Sequence, residues 1–272
     1  MHRKELLHIT DKRYSALQSH WPGLFLVNEE AIHDWRVELK KMRALVRLFR
    51  KFEKKASIHS SWKKLYDLTG EVRDRQVHLH LVQNLFDSGS QFPVTYVNLI
   101  EEELSAASEN LKRVTGNDVL LHMYYQTITN SIPGKISVQK LKDYIYEQLI
   151  KARNILWLTY KKDDYLHECR KYLKDAQYLL SIFDEQLRPD PVPHIPELNK
   201  IEDGGRALGE FQDQCVALKF FNASYLNRLP AKEKQLLKKT QAVVLKEKNR
   251  TKNSVISYLD ESFKDFLHLH TS

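Results

Sequence analysis

Glycine and proline are scarce, at eight residues each in 272, cysteine is almost absent at two, and no apolar run approaches membrane-spanning length. Each shortage excludes a class. So little glycine and proline cannot punctuate the many short strands and tight turns of an all-β fold. Two cysteines cannot build a disulfide framework, which points to a reducing compartment. Runs such as Leu24-Phe25-Leu26-Val27 and Ile155-Leu156-Trp157-Leu158 fall far short of the roughly 20 residues a transmembrane helix needs. The charged start Met1-His2-Arg3-Lys4-Glu5, followed by a segment broken by His8, Asp11, Lys12 and Arg13, lacks a signal-peptide core. The expectation is a soluble cytoplasmic protein with no membrane partner.

What is present is a chain that can fold. It is 42% hydrophobic, with 4 Trp, 13 Tyr and 11 Phe, so its 29% charged content does not signal disorder. Apolar residues recur at three- and four-residue steps, which predicts an all-α fold. The spacing places helices over about 2–20, 29–54, 60–87, 93–114, 137–158, 163–186, 197–225 and 231–267, the last broken near 250. Turns are expected at Trp21-Pro22-Gly23, Asp87-Ser88-Gly89-Ser90, Ile132-Pro133-Gly134 and the stretch Arg188-Pro189-Asp190-Pro191-Val192-Pro193, with Ser131 to Lys135 the best seam.

Charge is segregated. The chain carries 43 Lys+Arg against 35 Asp+Glu, a formal +8. From His33 to Lys55 there are nine basic and three acidic residues, and from Lys232 to Lys252 eight basic and two acidic. The remainder is mildly acidic, so the whole positive excess sits in two helical stretches, a pattern that suits a polyanion partner. At about 100° per residue, His33, Arg36, Lys40, Arg43, Arg47, Arg50 and Lys54 fall on one arc, and Trp35, Leu39, Met42, Val46 and Phe49 on the arc beside it. A solvated helix face would mix both signs. This arc holds no carboxylate in seven positions and would run about 30 Å along the edge of a groove.

The chain also repeats itself. A shift of 134 residues lays Ile32-His33-Asp34-Trp35-Arg36-Val37-Glu38-Leu39-Lys40 on Leu166-His167-Glu168-Cys169-Arg170-Lys171-Tyr172-Leu173-Lys174. A shift of 139 lays Gly70-Glu71-Val72-Arg73-Asp74 on Gly209-Glu210-Phe211-Gln212-Asp213. Two copies of a four-helix unit, residues 1–134 and 135–272, are expected to pack about a pseudo-twofold axis.

His33-x-x-Arg36-x-x-x-Lys40-x-x-Arg43, followed by Leu68-x-Gly70-x-x-Arg73-Asp74, resembles the CHAD family, the conserved histidine α-helical domain. The resemblance implies two tandem four-helix bundles around a central basic cleft that binds inorganic polyphosphate, with members often attached to polyphosphate granules or fused to a CYTH triphosphatase. No CYTH-like segment is left over, so a stand-alone CHAD protein is expected. Carried onto matching positions, the ligands are His33, Arg36, Lys40 and Arg43 in the first copy and His167, Arg170 and Lys174 in the second, with Arg73 a further candidate and Arg47 and Arg50 extending the first row. Asp74 is expected to orient or cap. The second copy departs at Gln177, Ser181, Gln212 and Gln214, where Arg43, Arg47, Arg73 and Arg75 stand in the first, so denser phosphate contacts are expected along the first copy; only an equal share between the halves would require replacements, from Lys239, Lys246 or Arg250.

Catalytic patterns are weak, so a non-catalytic binder without metal or cofactor is expected. His33-Asp34 is the dipeptide of HD phosphohydrolases, but adjacent helical residues point about 100° apart. His78 and His80, two residues apart on a helix, do not face each other. Cys169 shares the packed position of Trp35 and reads as a buried thiol, Cys215 lacks a CxxC partner, and His268 and His270 read as bystanders. A helical RNA- or DNA-binding protein is the alternative function, and a polyphosphate-acting phosphohydrolase the third.

Overall fold

The computed structural model describes residues 1–57, 60–86, 92–158, 162–188 and 198–264. The expected turns at 87–90 and 189–193, and His268 and His270, lie outside them. Apart from an antiparallel bridge between His2 and Lys135, the described residues form helices and their connections. Nine are long or of moderate length: α1 (Arg3–Phe25), α2 (Glu29–Phe52), α3 (Ser60–Phe86), α4 (Val94–Thr115), α5 (Val119–Thr129), α6 (Val138–Leu158), α7 (Asp163–Ile182), α9 (Leu198–Phe220) and α11 (Ala231–Ser262). Two single turns, α8 (Asp184–Leu187) and α10 (Ala223–Leu226), complete the set.

The amphipathic stretch from 29 onward starts where local chemistry says it should. The Asn28 side chain accepts a hydrogen bond from the Ala31 N–H at 2.9 Å, Glu29 and Glu30 occupy the first turn, and Arg50 and Lys51 the last. Capping and the helix dipole both favour that order. Helix α2 pairs with α1, α6 with α7, α3 with α4 and α9 with α11, while α2 lies on α7 and α3 on α9. The main core runs without a break from Leu6 to Phe263 across both repeats. Within it the rings of Trp35, Trp62 and Tyr124 stack in series, with centroids 5.6 and 3.5 Å apart, and Trp21 meets Trp35 at a tilt with centroids 6.4 Å apart. A second cluster joins the ends of α3, α4 and α9 to α11.

Several expectations are corrected. Trp21-Pro22-Gly23 is not a turn but the last part of α1. The chain reverses at Leu26 to Asn28, where Val27 takes a positive φ of 57°. Gly23 instead permits the α1–α2 crossing, since a Cβ there would stand 2.2 Å from the Ala31 Cβ. Helix α5 lies where the spacing showed no helix, held by Tyr124 against Trp62. Helix α11 passes residue 250 unbroken, whereas the expected helices over 163–186 and 197–225 end at Ile182 and Phe220. The seam at 131–135 is clamped by the N-terminus: Arg3 N donates to Gly134 O at 2.9 Å, Ile136 N to Met1 O at 3.0 Å, and the Met1 ammonium to Ile136 O at 2.8 Å.

Because Trp62 touches Trp35 and Tyr124 and is 2% exposed, Trp62→Ala should lower stability by about 3–5 kcal/mol in urea titrations. A loss below about 1 kcal/mol would show that the aromatic stack is not central.

Candidate functional site

Helices α2 and α7 lie side by side with α3 and α9 against them, so the two copies of the His-Arg-Lys row face a shared cleft. Two adjoining cavities of about 290 Å³ each occupy it, and both are lined by Lys40 and Arg170. Arg43, Arg47, His167 and Lys174 line the first, with Tyr66, Lys171, Tyr172, Asp175 and Tyr178 among the rest. His33, Arg36, Arg73, Asp74 and Asp213 line the second, which is walled by Val77, Leu81, Val216 and Ala217. Of the ten expected ligands, Arg50 lines neither cavity. It is exposed, and its Nε donates to the Ala56 carbonyl at 2.8 Å, closing the chain beyond α2.

The cations are held in different ways. Arg36 donates to the Tyr66 carbonyl at 2.7 Å and to Thr69 Oγ1 at 3.0 Å, and its guanidinium lies 4.3 Å from the centre of the Tyr66 ring. Arg43 lies 4.9 Å from the same ring. The motif glycine Gly70, and Gly205 one turn before the motif glycine Gly209, leave room for these side chains. A Cβ on Gly70 would sit 3.0 Å from Arg36 Nη1, and one on Gly205 would sit 3.2 Å from Lys174 Nζ. Arg47 and Arg73 are partly neutralised: Arg47 grips the buried Asp175 of α7 with two hydrogen bonds, and Arg73 pairs with Glu29, which His80 also bonds at 2.9 Å. Arg36, Lys40, Arg43, Arg170 and Lys174 have no carboxylate within ion-pair distance among the described residues.

Crowding of like charge shows in the titration of these groups. Burial, then Arg36, Arg170 and Lys174, pulls Lys40 down to about 7, with Asp213 opposing. Burial and Arg170 pull Lys174 down to about 8. Burial and Arg73 lower His33. Asp74 and Asp213 are raised because burial outweighs the cations around them. Burial first, and the neighbouring cations second, thus push the cleft lysines toward neutrality.

The departures of the second copy act on its ligands. Gln177 Oε1 accepts from Lys174 Nζ at 2.8 Å, and Gln212 Oε1 meets His167 Nδ1 at 2.8 Å. Helix α11, the conditional source of replacement cations, lines neither cavity. Lys248 and Lys252 both bond Asp163, Arg250 pairs with Glu247, and Lys239 and Lys246 face solvent. Helix α11 packs on α9 through Val255, Ile256 and Leu259. The His78 Nε2 meets the Tyr96 hydroxyl at 2.6 Å in the core, and Cys169 is buried with its thiol pushed up to about 12. Tyr66, Asp175 and Lys171 escaped the sequence, where nothing in the repeat marks them. Asp213 was legible as the second copy of Asp74.

The two motif glycines should respond differently to substitution. In Gly70→Ala the new methyl meets a guanidinium held by three contacts, so Arg36 must move and anion affinity should drop about tenfold. In Gly209→Ala the nearest atom is Arg170 Nη2 at 3.7 Å, ordinary contact, and affinity should hold while helix propensity adds up to about 1 kcal/mol of stability. Titration calorimetry with tripolyphosphate and urea melts of both variants check this; equal affinities would refute the role assigned to Gly70.

Solved structures share this architecture. The CHAD domain from the plant Ricinus communis superposes with a TM-score of 0.67 at 14% identity, covering 98% of this chain and 92% of that one. PptA from Streptomyces chartreusis gives 0.65 at 13% identity, covering 97% and 99%. No curated protein matches the chain. The model of the CHAD domain matches residues 8–222, a span that contains both His-Arg-Lys rows and both Gly-x-x-x-Asp motifs. The chain belongs to the CHAD family.

Proposed function

We propose that the protein binds inorganic polyphosphate, without catalysis or a metal cofactor, in the cleft between α2, α3, α7 and α9. The observation that carries this is the meeting of Lys40 and Arg170, one from each repeat, at the junction of two cavities whose remaining cations largely lack carboxylate partners. Family membership supports it, CHAD domains being linked to polyphosphate binding. Arginine suits two-pronged contact with phosphate oxygens and lysine a movable point charge. A linear chain of phosphates would satisfy both cavities at once, and association with polyphosphate granules follows as the cellular expectation. A nucleic-acid ligand is less well matched, because base stacking needs open aromatic faces and the Tyr66 ring already carries two guanidiniums.

Binding should persist with chelator present and weaken steeply with salt, as release of condensed counterions requires. Arg43→Ala should weaken polyphosphate binding and reduce the slope of log affinity against log salt by about one. Arg47→Ala should change the slope less, because Asp175 already neutralises that guanidinium. Equal effects of the two substitutions would count against the cleft as the site.

The pH dependence has a definite sign. Free Lys40 and Lys174 lose their protons near 7 and 8, whereas a bound polyanion holds both charged. Binding therefore takes up protons above neutrality, and affinity should fall as pH rises from about 7 to 9. In Lys40→Arg, whose guanidinium stays charged, the dependence should flatten. A wild-type affinity constant across that window would refute the arrangement.

A further inference from the structure

Lys40 occupies an unusual place for an amine. It lines both cavities, it is the meeting point of the two halves of the cleft, and its Nζ makes no hydrogen bond or ion pair among the described residues. Around it stand Arg36 from its own helix, Arg170 and Lys174 from α7, Asp213 from α9 and Asp74 from α3. An ammonium in that company has three cations against it and no acceptor to hold its proton.

We propose that Lys40 is an acylation site that takes acyl groups from acyl phosphates. Arg36 and Arg170 line one cavity together with Lys40 and act on its charge, so a phosphoryl group of such a donor gripped there would bring the acyl carbon to Nζ. The lone pair of the neutral amine attacks that carbon, and the bond between the carbon and the phosphate oxygen breaks. Orthophosphate leaves with the electron pair and takes up the proton that nitrogen sheds, leaving an amide on Lys40. A lysine that is desolvated beside other cations carries a free lone pair near neutral pH, which is how such amines become nucleophiles. The low proton affinity of Lys40 agrees with this.

The product is neutral at the point where the two cavities join, so acylation would remove the charge that links the two rows of cations. Conversely, a polyanion in the cleft keeps Lys40 protonated and covers it. That last coupling rests on the polyphosphate proposal, whereas the acylation itself does not.

The test is to incubate the full chain with acetyl phosphate at pH 8 and to follow each lysine by peptide mass spectrometry over time. Lys40 should be acetylated at least about tenfold faster than the exposed Lys63 and Lys239. The lead should shrink severalfold with N-hydroxysuccinimidyl acetate, which has no phosphate to grip, and Lys40→Arg should lose the fast site. If Lys40 reacts no faster than those two lysines, or leads equally with both donors, the proposal is overturned. Inorganic tripolyphosphate should slow Lys40 and leave the exposed lysines unchanged. A fast Lys40 that tripolyphosphate fails to protect would support the acylation site and count against polyphosphate as the ligand.

Discussion

Everything about the cleft depends on two cationic helix faces being held against each other. Like charges a few ångströms apart in a partly buried setting repel by several kcal/mol each. Helices α2 and α7 stay together because the arc beside each row is apolar and fully buried: Trp35, Leu39 and Met42 on one, Cys169, Leu173 and Ala176 on the other. Packing on that arc fixes how the helices meet, and the cations are carried along with it. The Arg47–Asp175 pair then ties α2 to α7 directly, one guanidinium offsetting one buried carboxylate.

Within that constraint the Gly-x-x-x-Asp motif does two jobs. Its glycines thin α3 and α9 where the arginines of α2 and α7 pass: Gly70 lies under Arg36 and Gly209 beside Arg170. One turn on, Asp74 and Asp213 line the same cavity, too buried to titrate as ordinary carboxylates and too few to cancel the cations. The free protein therefore sits in a compromise in which Lys40 and Lys174 are drawn toward the neutral state. An anion resolves the compromise by restoring the charge, and loss of the Lys40 charge resolves it the other way. On the two proposals above, binding and amine reactivity would be two outcomes of one electrostatic imbalance.

The two His-Arg-Lys rows are alike in sequence and unlike in detail. Where the first has Arg43 and Arg73, the second has Gln177 and Gln212, and these amides hold Lys174 and His167 in place. The second row is shorter, and in the longer first row Arg36 is held by Tyr66 and Thr69 while Arg47 is drawn off by Asp175.

Much of this was legible in the chain by itself. The periodicity of 33–54 placed Trp35 and Leu39 inside and Arg36, Lys40 and Arg43 on one stripe, because a helix face depends on spacing alone. The repeat located His167, Arg170, Lys174 and Asp213 for the same reason. Tertiary structure decided what each cation meets. Asp175 stands 128 residues from Arg47, and no periodicity announces that the two will pair. Arg50 shares the stripe yet points past the cleft to Ala56, and the basic run on α11 lies outside it because its apolar side packs against α9. Pro22 and Gly23, turn residues by type, end inside α1 because the crossing with α2 demands a residue without a side chain there. Local sequence sets which residues share a face, but the net charge of a site is a sum over helices that only folding brings together.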